Sequence, residues 1–191
     1  MIVLTTFALN INRFLAVPTQ RVEANILVVE GWIWDYAMES AAEEFKRGGY
    51  TLLATSGMPN FPQSGQDQTT TADAAVARLQ QLGVPHSQIL TCPASYTSWN
   101  RTASSARAVR DKLLREGVRL ERINVLTVGT HARKTILAYR RIMGPEVEVG
   151  IITIPSQNFD ADRWWTSQAG IYAISKNTIG WLREYIFGPR S

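Results

Sequence analysis

Short runs of β-branched and aliphatic residues alternate along the chain with stretches whose apolar residues recur every three or four positions. Runs of the first kind predict buried strands, and stretches of the second kind predict helices. The five predicted strands are residues 26–30 (ILVVE), 51–55 (TLLAT), 88–90 (QIL), 124–128 (NVLTV) and 147–154 (VEVGIITI). The alternation predicts an α/β fold, a Rossmann-like three-layer sandwich with a mostly parallel sheet of about five strands.

Helices are predicted between these strands, because capping residues and glycines flank the periodic stretches. The first helix is predicted to have Asp35 as its cap. The next is predicted to open at Thr70 or Thr71, and a third to run from about Ser98. A fourth contains His131. Each of them joins one strand to the next, as a parallel sheet requires.

The segment from Asp162 to Phe187 has a different pattern. Its aromatic and aliphatic residues recur at seven-residue intervals, at Trp165, Tyr172, Ile179 and Ile186. This spacing predicts a helical segment that packs on the sheet and is broken near Gly170. The alternative is an aromatic-rich helix that lies on a membrane surface.

Composition narrows the possible functions only a little. Of the 191 residues, 45% are hydrophobic and 19% are charged, as in an ordinary globular domain. The net charge of +4 is compatible with a small anionic ligand, a membrane surface or nucleic acid. Because Lys and Arg form only short clusters, no nucleic-acid partner is expected. The oligomeric state stays open.

Several common sites are excluded by motifs that the chain lacks. It has no P-loop, no G-x-G-x-x-G motif and no G-x-S-x-G nucleophile elbow. Cys92 is the only cysteine, so neither an intramolecular disulfide nor a cysteine-based metal site can form. The two histidines, His86 and His131, are too far apart in sequence to suggest a metal pair, and no metal is expected.

The beginning of the chain, MIVLTTFAL, is apolar but lacks a basic flank and is too short to span a bilayer. Two locations are therefore expected. One is the cytoplasm, and the other is the membrane surface if residues 1–20 are the stub of a longer anchor.

Ligands of parallel α/β sheets bind beyond the carboxyl ends of the strands. One such end carries Ser56 and Gly57, followed by a polar loop. Gly57 would let backbone N–H groups approach an anion, although a simple turn explains the pair as well. Because connections longer than about 12 residues are uncommon, Met58 to Gln68 is predicted to be a mobile flap over the strand ends.

A second strand end reads SYTSWNRT, residues 95–102. Thr97 is predicted to cap the helix that follows. Asn100 would then lie in its first turn, beside exposed backbone donors that suit an anion. Capping alone would also account for both residues.

A third strand end, GTHARK, joins a turn at Gly129 and Thr130 to a histidine and two cations. The positive end of a helix with basic side chains favours phosphate or carboxylate ligands. His131 is predicted to be neutral and catalytic, as a proton donor or a general acid or base. We expect His131 and Arg133 to face the ligand cleft. The alternative is a solvated helix with an incidental histidine.

These pieces occur in an order that resembles the bacterial YdcF-like family, which includes the SanA- and ElyC-type envelope proteins. The matching stretches are ILVVEGW, ATSG, LGVPHSQIL, SYTSWNRTA and LTVGTHARKTILAYRR. The resemblance covers residues 24–155 of a single expected domain, 1–191. Residues 1–23 would form an N-terminal extension or anchor stub, and residues 156–191 a C-terminal helical segment.

The resemblance implies a Rossmann-like domain that binds a small anionic or nucleotide-like ligand. Some family members bind S-adenosylmethionine, so this molecule is a possible cofactor here. Other members influence the envelope barrier and peptidoglycan metabolism. With His131 as the catalytic residue, the expected ligand-binding residues are Glu30, Gly31, Trp32, Ser56, Gly57, Thr97, Asn100, Thr130, Arg133 and Lys134. Trp32 or Trp34 could stack on a base.

The chain also departs from the family pattern. Thr71 stands where the family usually has a glutamate, and Thr91 or Cys92 where it often has another. The loss of two carboxylates removes obvious general bases or metal ligands, which shifts the expectation toward ligand binding or altered specificity. Possible replacements are Glu30, Asp35 and Asp73.

Two functions therefore compete. The first is a small-molecule binder or transferase-type enzyme of this family. The second is a non-catalytic envelope-biogenesis factor that acts through partners or the membrane surface.

Overall fold

The computed structural model describes residues 10–60 and 69–189, and these contain one five-stranded sheet in which every pairing is parallel. Its strands are β1 (Ile26–Glu30), β2 (Leu52–Gly57), β3 (Ile89–Pro93), β4 (Arg122–Val128) and β5 (Glu148–Ile154). Their order across the sheet is β3-β2-β1-β4-β5. The predicted fold class, a Rossmann-like α/β sandwich, is confirmed.

Helices connect and cover the strands. They are α1 (Asp35–Arg47), α2 (Thr71–Gln81), α3 (Arg101–Arg115), α4 (Ala132–Met143) and α5 (Gln168–Phe187). Short 3-10 turns occupy His86–Gln88, Gly129–His131 and Ala161–Thr166, and residues 10–15 are helical. Residues 61–68 of the predicted flap lie outside the described residues.

Side chains of β1 alternate between the two faces of the sheet. Ile26 and Val28 belong to a core with α3 and α4, whereas Leu27 and Val29 belong to a core with α1 and α2. All four are at most 3% exposed. Burial on both faces explains why the strand reads as a continuous apolar run rather than as an alternation.

The predicted helix starts are right at α2 and wrong at α1 and α3. Thr70 caps α2 in a reciprocal pair with Asp73. Trp34 occupies the N-cap of α1, and Asp35 lies in the first turn. At α3 the N-cap is Asn100, in the left-handed conformation with φ of 50° that asparagine tolerates. The Thr97 hydroxyl instead bonds the backbone of Trp99.

Helix α5 packs differently from the sequence prediction. It lies against α4 and residues 10–15, where Ile174 packs with Ile11 and Leu15 in a small separate core. Tyr172, Ile179 and Ile186 are more than half exposed, so the predicted packing of the seven-residue stripe on the sheet is wrong. The helical segment is broken at Ser167, close to the predicted position near Gly170, and Ser167 caps α5 by accepting a hydrogen bond from the Gly170 backbone.

Residues 10–23, which belong to the expected N-terminal extension, pack on the domain where the structure describes them. Leu15 is fully buried, and Gln20 forms an antiparallel bridge with Ile151 of β5. No helix within residues 10–60 and 69–189 is long and apolar enough to cross a membrane.

Candidate functional site

The carboxyl ends of β1 and β4 meet where the strand order reverses direction. Chain connections leave this point toward opposite edges of the sheet, which opens a crevice where α/β proteins bind ligands. A cavity of about 250 Å³ lies there, with Trp32, Gly57 and His131 in its wall. A second cavity of about 340 Å³ shares Arg101, Thr102, Lys134 and Lys176 with the first. We call the two together the switch-point cleft.

Glu30, the last residue of β1, lies at the base of this cleft and is 2% exposed. The Thr127 hydroxyl of β4 donates to its Oε2, and the Thr135 hydroxyl of α4 lies 3.2 Å from the same oxygen. Burial raises the pKa of the Glu30 carboxyl, against the lowering effects of Thr127 and of the charge of Lys134. The two threonine hydroxyls, from β4 and α4, hold the Glu30 carboxyl in one orientation.

His131 ends the 3-10 turn that leads into α4 and forms one side of the cleft. Its Nδ1 lies 3.1 Å from Oδ1 of Asn177, and its Nε2 lies 3.4 Å from the Thr102 hydroxyl. Nε2 is also 3.9 Å from Glu30 Oε1, and the ring packs edge-on against Trp32 with centroids 4.6 Å apart. The imidazole is thus held by contacts at both ring nitrogens and on its edge, while it also lines the cavity.

Burial lowers the pKa of His131 well below its usual value, and the charge of Lys134 lowers it further. The ring is consequently neutral at pH 7, as the sequence predicted. Burial of the ring is the largest cause of this lowered pKa. A neutral imidazole has one proton-donating and one proton-accepting nitrogen.

Three cations from three helices line both cavities of the cleft, and a fourth, Arg183, lines the larger cavity beside the buried Glu184. Arg101 begins α3, Lys134 lies in the first turn of α4, and Lys176 lies in α5. Burial lowers the pKa of Lys134 to about 8, while the nearby Glu30 raises it. The N-termini of α3 and α4 start at the same edge of the sheet and add their partial positive charge. The electrostatics of the cleft therefore favour an anion.

Most residues predicted to bind a ligand do lie around this cleft. Its walls contain Trp32, Gly57, Asn100, His131 and Lys134. Glu30 and Thr130 lie directly behind them, with Thr130 4% exposed and bonded to Asn177.

Two further predicted residues have packing roles instead. Ser56 is 1% exposed and accepts a hydrogen bond from Tyr139 beneath the cleft. A methyl group on Gly31 would lie inside van der Waals contact with the backbone of Thr71. Gly31 thus allows the start of α2 to approach β1, and the absence of a side chain is its contribution.

The expectation that Arg133 faces the cleft is wrong. Its Nε donates to the carbonyl oxygen of Phe14, and its guanidinium stacks 4.0 Å from the centroid of the Phe14 ring. Successive helical residues point about 100° apart, which places Lys134 at the cleft and Arg133 against Phe14. Thr97 also lies outside the cleft, in the turn before α3, where its hydroxyl bonds the Trp99 backbone. Trp34 does not line the cleft either, and its side chain is 55% exposed.

Several residues around the cleft were not predicted from the sequence, among them Arg101, Thr102 and Lys176 in its wall and Asn177 beside His131. Arg101 and Thr102 lie at the helix start that the sequence analysis singled out, so their position was a signal that could have been used. Lys176 and Asn177 reach the cleft from α5, and nothing in the sequence indicates that this helix packs beside α4.

Neither Asp35 nor Asp73 replaces the carboxylates that the family pattern would supply. Asp35 pairs with Arg78 on the surface, and Asp73 holds the cap of α2. Among residues 10–60 and 69–189, no group of three or more His, Cys, Asp or Glu side chains is placed to hold a metal ion. Glu30 is thus the acidic group nearest to His131 in the described part of the chain.

No protein-family model matches this chain, and none of the curated proteins is significantly similar to it in sequence.

Proposed function

We propose that the protein binds a small anionic ligand, phosphorylated or nucleotide-like, in the switch-point cleft. One observation carries the proposal, which is the convergence of Arg101, Lys134 and Lys176 on one cavity at the reversal of strand order. Arg presents a planar fork of donors and Lys a mobile point charge, and both suit phosphate oxygens. The combined volume suits a ligand of nucleotide size.

An aromatic surface supports the nucleotide-like half of the proposal. Trp32 is 41% exposed and lines the same cavity as the cations. Its indole can contact the face of a base while the phosphate lies among the basic side chains.

The charge balance favours a phosphate over S-adenosylmethionine. That molecule carries a sulfonium and an ammonium group against one carboxylate, so three protein cations would repel more charge than they attract. We therefore rank S-adenosylmethionine below mononucleotides and sugar phosphates as the occupant.

We propose in addition that the chain is a divergent member of the YdcF-like family. The support is that its matching motifs, which contain Glu30, Gly57, Asn100 and His131, meet at one cleft although they are spread over the sequence. Glu30 and His131 also offer the groups that proton transfer requires, so the cleft is compatible with catalysis on the bound ligand.

The decisive experiment is a thermal-shift titration with inorganic phosphate, AMP, ATP and S-adenosylmethionine. A phosphorylated ligand at about 100 times its dissociation constant should add about 2.7 kcal/mol of stability. The variants Arg101→Ala and Lys176→Ala should each weaken binding about tenfold. Arg119→Ala serves as the matched control, because Arg119 is an exposed cation elsewhere on the surface. Absence of any shift with the three phosphates would contradict the proposal.

A second candidate function is the envelope factor that acts through partners or a membrane surface. One observation favours it, namely a set of exposed apolar side chains on α5: Ile171, Tyr172, Ile179, Leu182, Tyr185, Ile186 and Phe187. Co-sedimentation with vesicles of anionic lipid tests this candidate. Binding that Tyr172→Ser and Phe187→Ser abolish, without loss of phosphate binding, would support it.

A further inference from the structure

Asn177 connects two residues of the β4–α4 turn across the edge of the cleft. Its Nδ2 donates to the Thr130 hydroxyl at 2.7 Å, and its Oδ1 lies 3.1 Å from Nδ1 of His131. A carboxamide has a donating end and an accepting end. In the structure the donating end of the amide faces Thr130 and the accepting end faces the imidazole, an arrangement that pairs with a proton on Nδ1.

We infer that Asn177 is a positioning residue that holds His131 in the Nδ1–H tautomer, with Nε2 as a proton acceptor facing Thr102 and the cleft. The inference deepens the proposed function, since it rests on the cleft being the binding site and adds what His131 does there. It assigns a role to a helix that the sequence motifs do not include.

The surroundings of Nε2 agree with an accepting nitrogen. The Thr102 hydroxyl, 3.4 Å away, can donate to it, and a ligand hydroxyl that entered the cavity could take the place of Thr102. The charged groups around the ring are Glu30, Lys134, Lys176 and Arg101. The three cations disfavour an added proton, so the nitrogen keeps its lone pair at neutral pH.

This arrangement resembles the general pattern of a base oriented by a third group. Of the roles predicted for His131, donor or acceptor, this arrangement keeps the acceptor role for Nε2. Its Nε2 accepts a hydrogen bond from a hydroxyl of the bound ligand, while Arg101, Lys134 and Lys176 act as the donors of the cleft. A ligand with a hydroxyl group near its phosphate would use both functions.

The tautomer can be measured without any ligand by long-range ¹⁵N–¹H correlation spectra of the imidazole nitrogens. The chain has two histidines, so a His86→Gln variant assigns the remaining signals to His131. At pH 7 we expect Nδ1 to give a protonated and Nε2 an unprotonated nitrogen signal. A protonated Nε2 would show that the amide faces the other way and would overturn the inference.

Two substitutions separate positioning from simple packing. Asn177→Asp keeps an acceptor beside Nδ1, so the tautomer should be unchanged and the imidazole pKa should rise. Asn177→Ala removes the acceptor, and the two tautomers should become mixed. An unchanged tautomer in Asn177→Ala would mean that Asn177 only packs the helix.

If Asn177→Ala does not fold, Asn177→Asp alone decides. If the Asn177 amide faces the other way in the parent protein, His131 has its proton on Nε2, and Asn177→Asp would move that proton to Nδ1. If the inference is right, the parent and Asn177→Asp both have the proton on Nδ1. Failure of the proposed function has a different signature, because phosphate would then not bind although the parent protein shows the Nδ1–H tautomer.

Discussion

Anion binding to the cleft should depend on pH through Lys134. Burial lowers the pKa of this side chain to about 8, so its charge is lost within an accessible pH range. A bound anion stabilises the charged form and raises the pKa. The affinity for an anion is therefore close to its full value at pH 7 and decreases as the pH rises through about 8.

The size of the effect follows from the protonated fraction. With a pKa of about 8, this fraction falls from about 0.9 at pH 7 to about 0.1 at pH 9. If the charged form alone binds, affinity falls about tenfold, which corresponds to about 1.4 kcal/mol. Lys134→Arg keeps its charge and should bind equally at both pH values. Lys134→Met should bind weakly at both.

The assay is a thermal-shift titration with sulfate, whose charge is constant across this range, at ionic strength held constant with sodium chloride. Arg133→Ala is the matched control. The substitution removes one positive charge from the neighbouring position of α4, and the Arg133 side chain lies against Phe14 rather than in the cleft. It should leave sulfate affinity unchanged. Two results would refute the reasoning: a Lys134→Arg protein as pH-dependent as the parent, or an Arg133→Ala protein as weak as Lys134→Met.

Three further predictions concern stability and reactivity. Gly31→Ala should lower the free energy of unfolding, measured by urea denaturation, by about 1–3 kcal/mol, because the added methyl group meets the Thr71 backbone. An unchanged urea midpoint would show that α2 can move aside. Burial raises the pKa of the Cys92 thiol to about 12, so an aromatic disulfide reagent at pH 8 should modify it only after unfolding; rapid reaction of the native protein would contradict this. The hydrogen bond from Arg21 lowers the pKa of the Glu44 carboxyl, so the ion pair stabilises the folded protein above about pH 4. This stabilisation is lost as the pH falls through the lowered pKa of Glu44. The stability difference between the parent and Glu44→Gln should therefore shrink from pH 6 to pH 3, and a constant difference would rule out the ion pair as its source.

The fold followed from the sequence because its signals are local. Buried parallel strands read as continuous apolar runs, and ILVVE is a strand over the residues predicted. Helix starts were less certain, since Asp35 and Thr97 are good capping residues that the tertiary structure uses elsewhere. Cap preference is a tendency that packing can override.

The candidate site was predicted where one strand end supplies it and missed where distant segments meet. His131 and Lys134 follow β4 directly, so the strand-end rule located both. The sequence predicted both Arg133 and Lys134 at the site, and only the rotation of the helix about its axis, which the charge pattern does not contain, separates Lys134 from Arg133. Asn177 is 46 positions from His131, and no periodicity links them.

The docking of α5 has a consequence for how the protein is made. Every strand of the sheet precedes residue 155, whereas Lys176 and Asn177 come after it. Synthesis proceeds from the N-terminus at about 5–20 residues per second, so the strands leave the ribosome before the last wall of the cleft. The sheet and the helices that cover it can thus pack together while the side of the cleft formed by α5 is still open. The open side of the cleft is closed only when α5 has packed beside the β4–α4 turn.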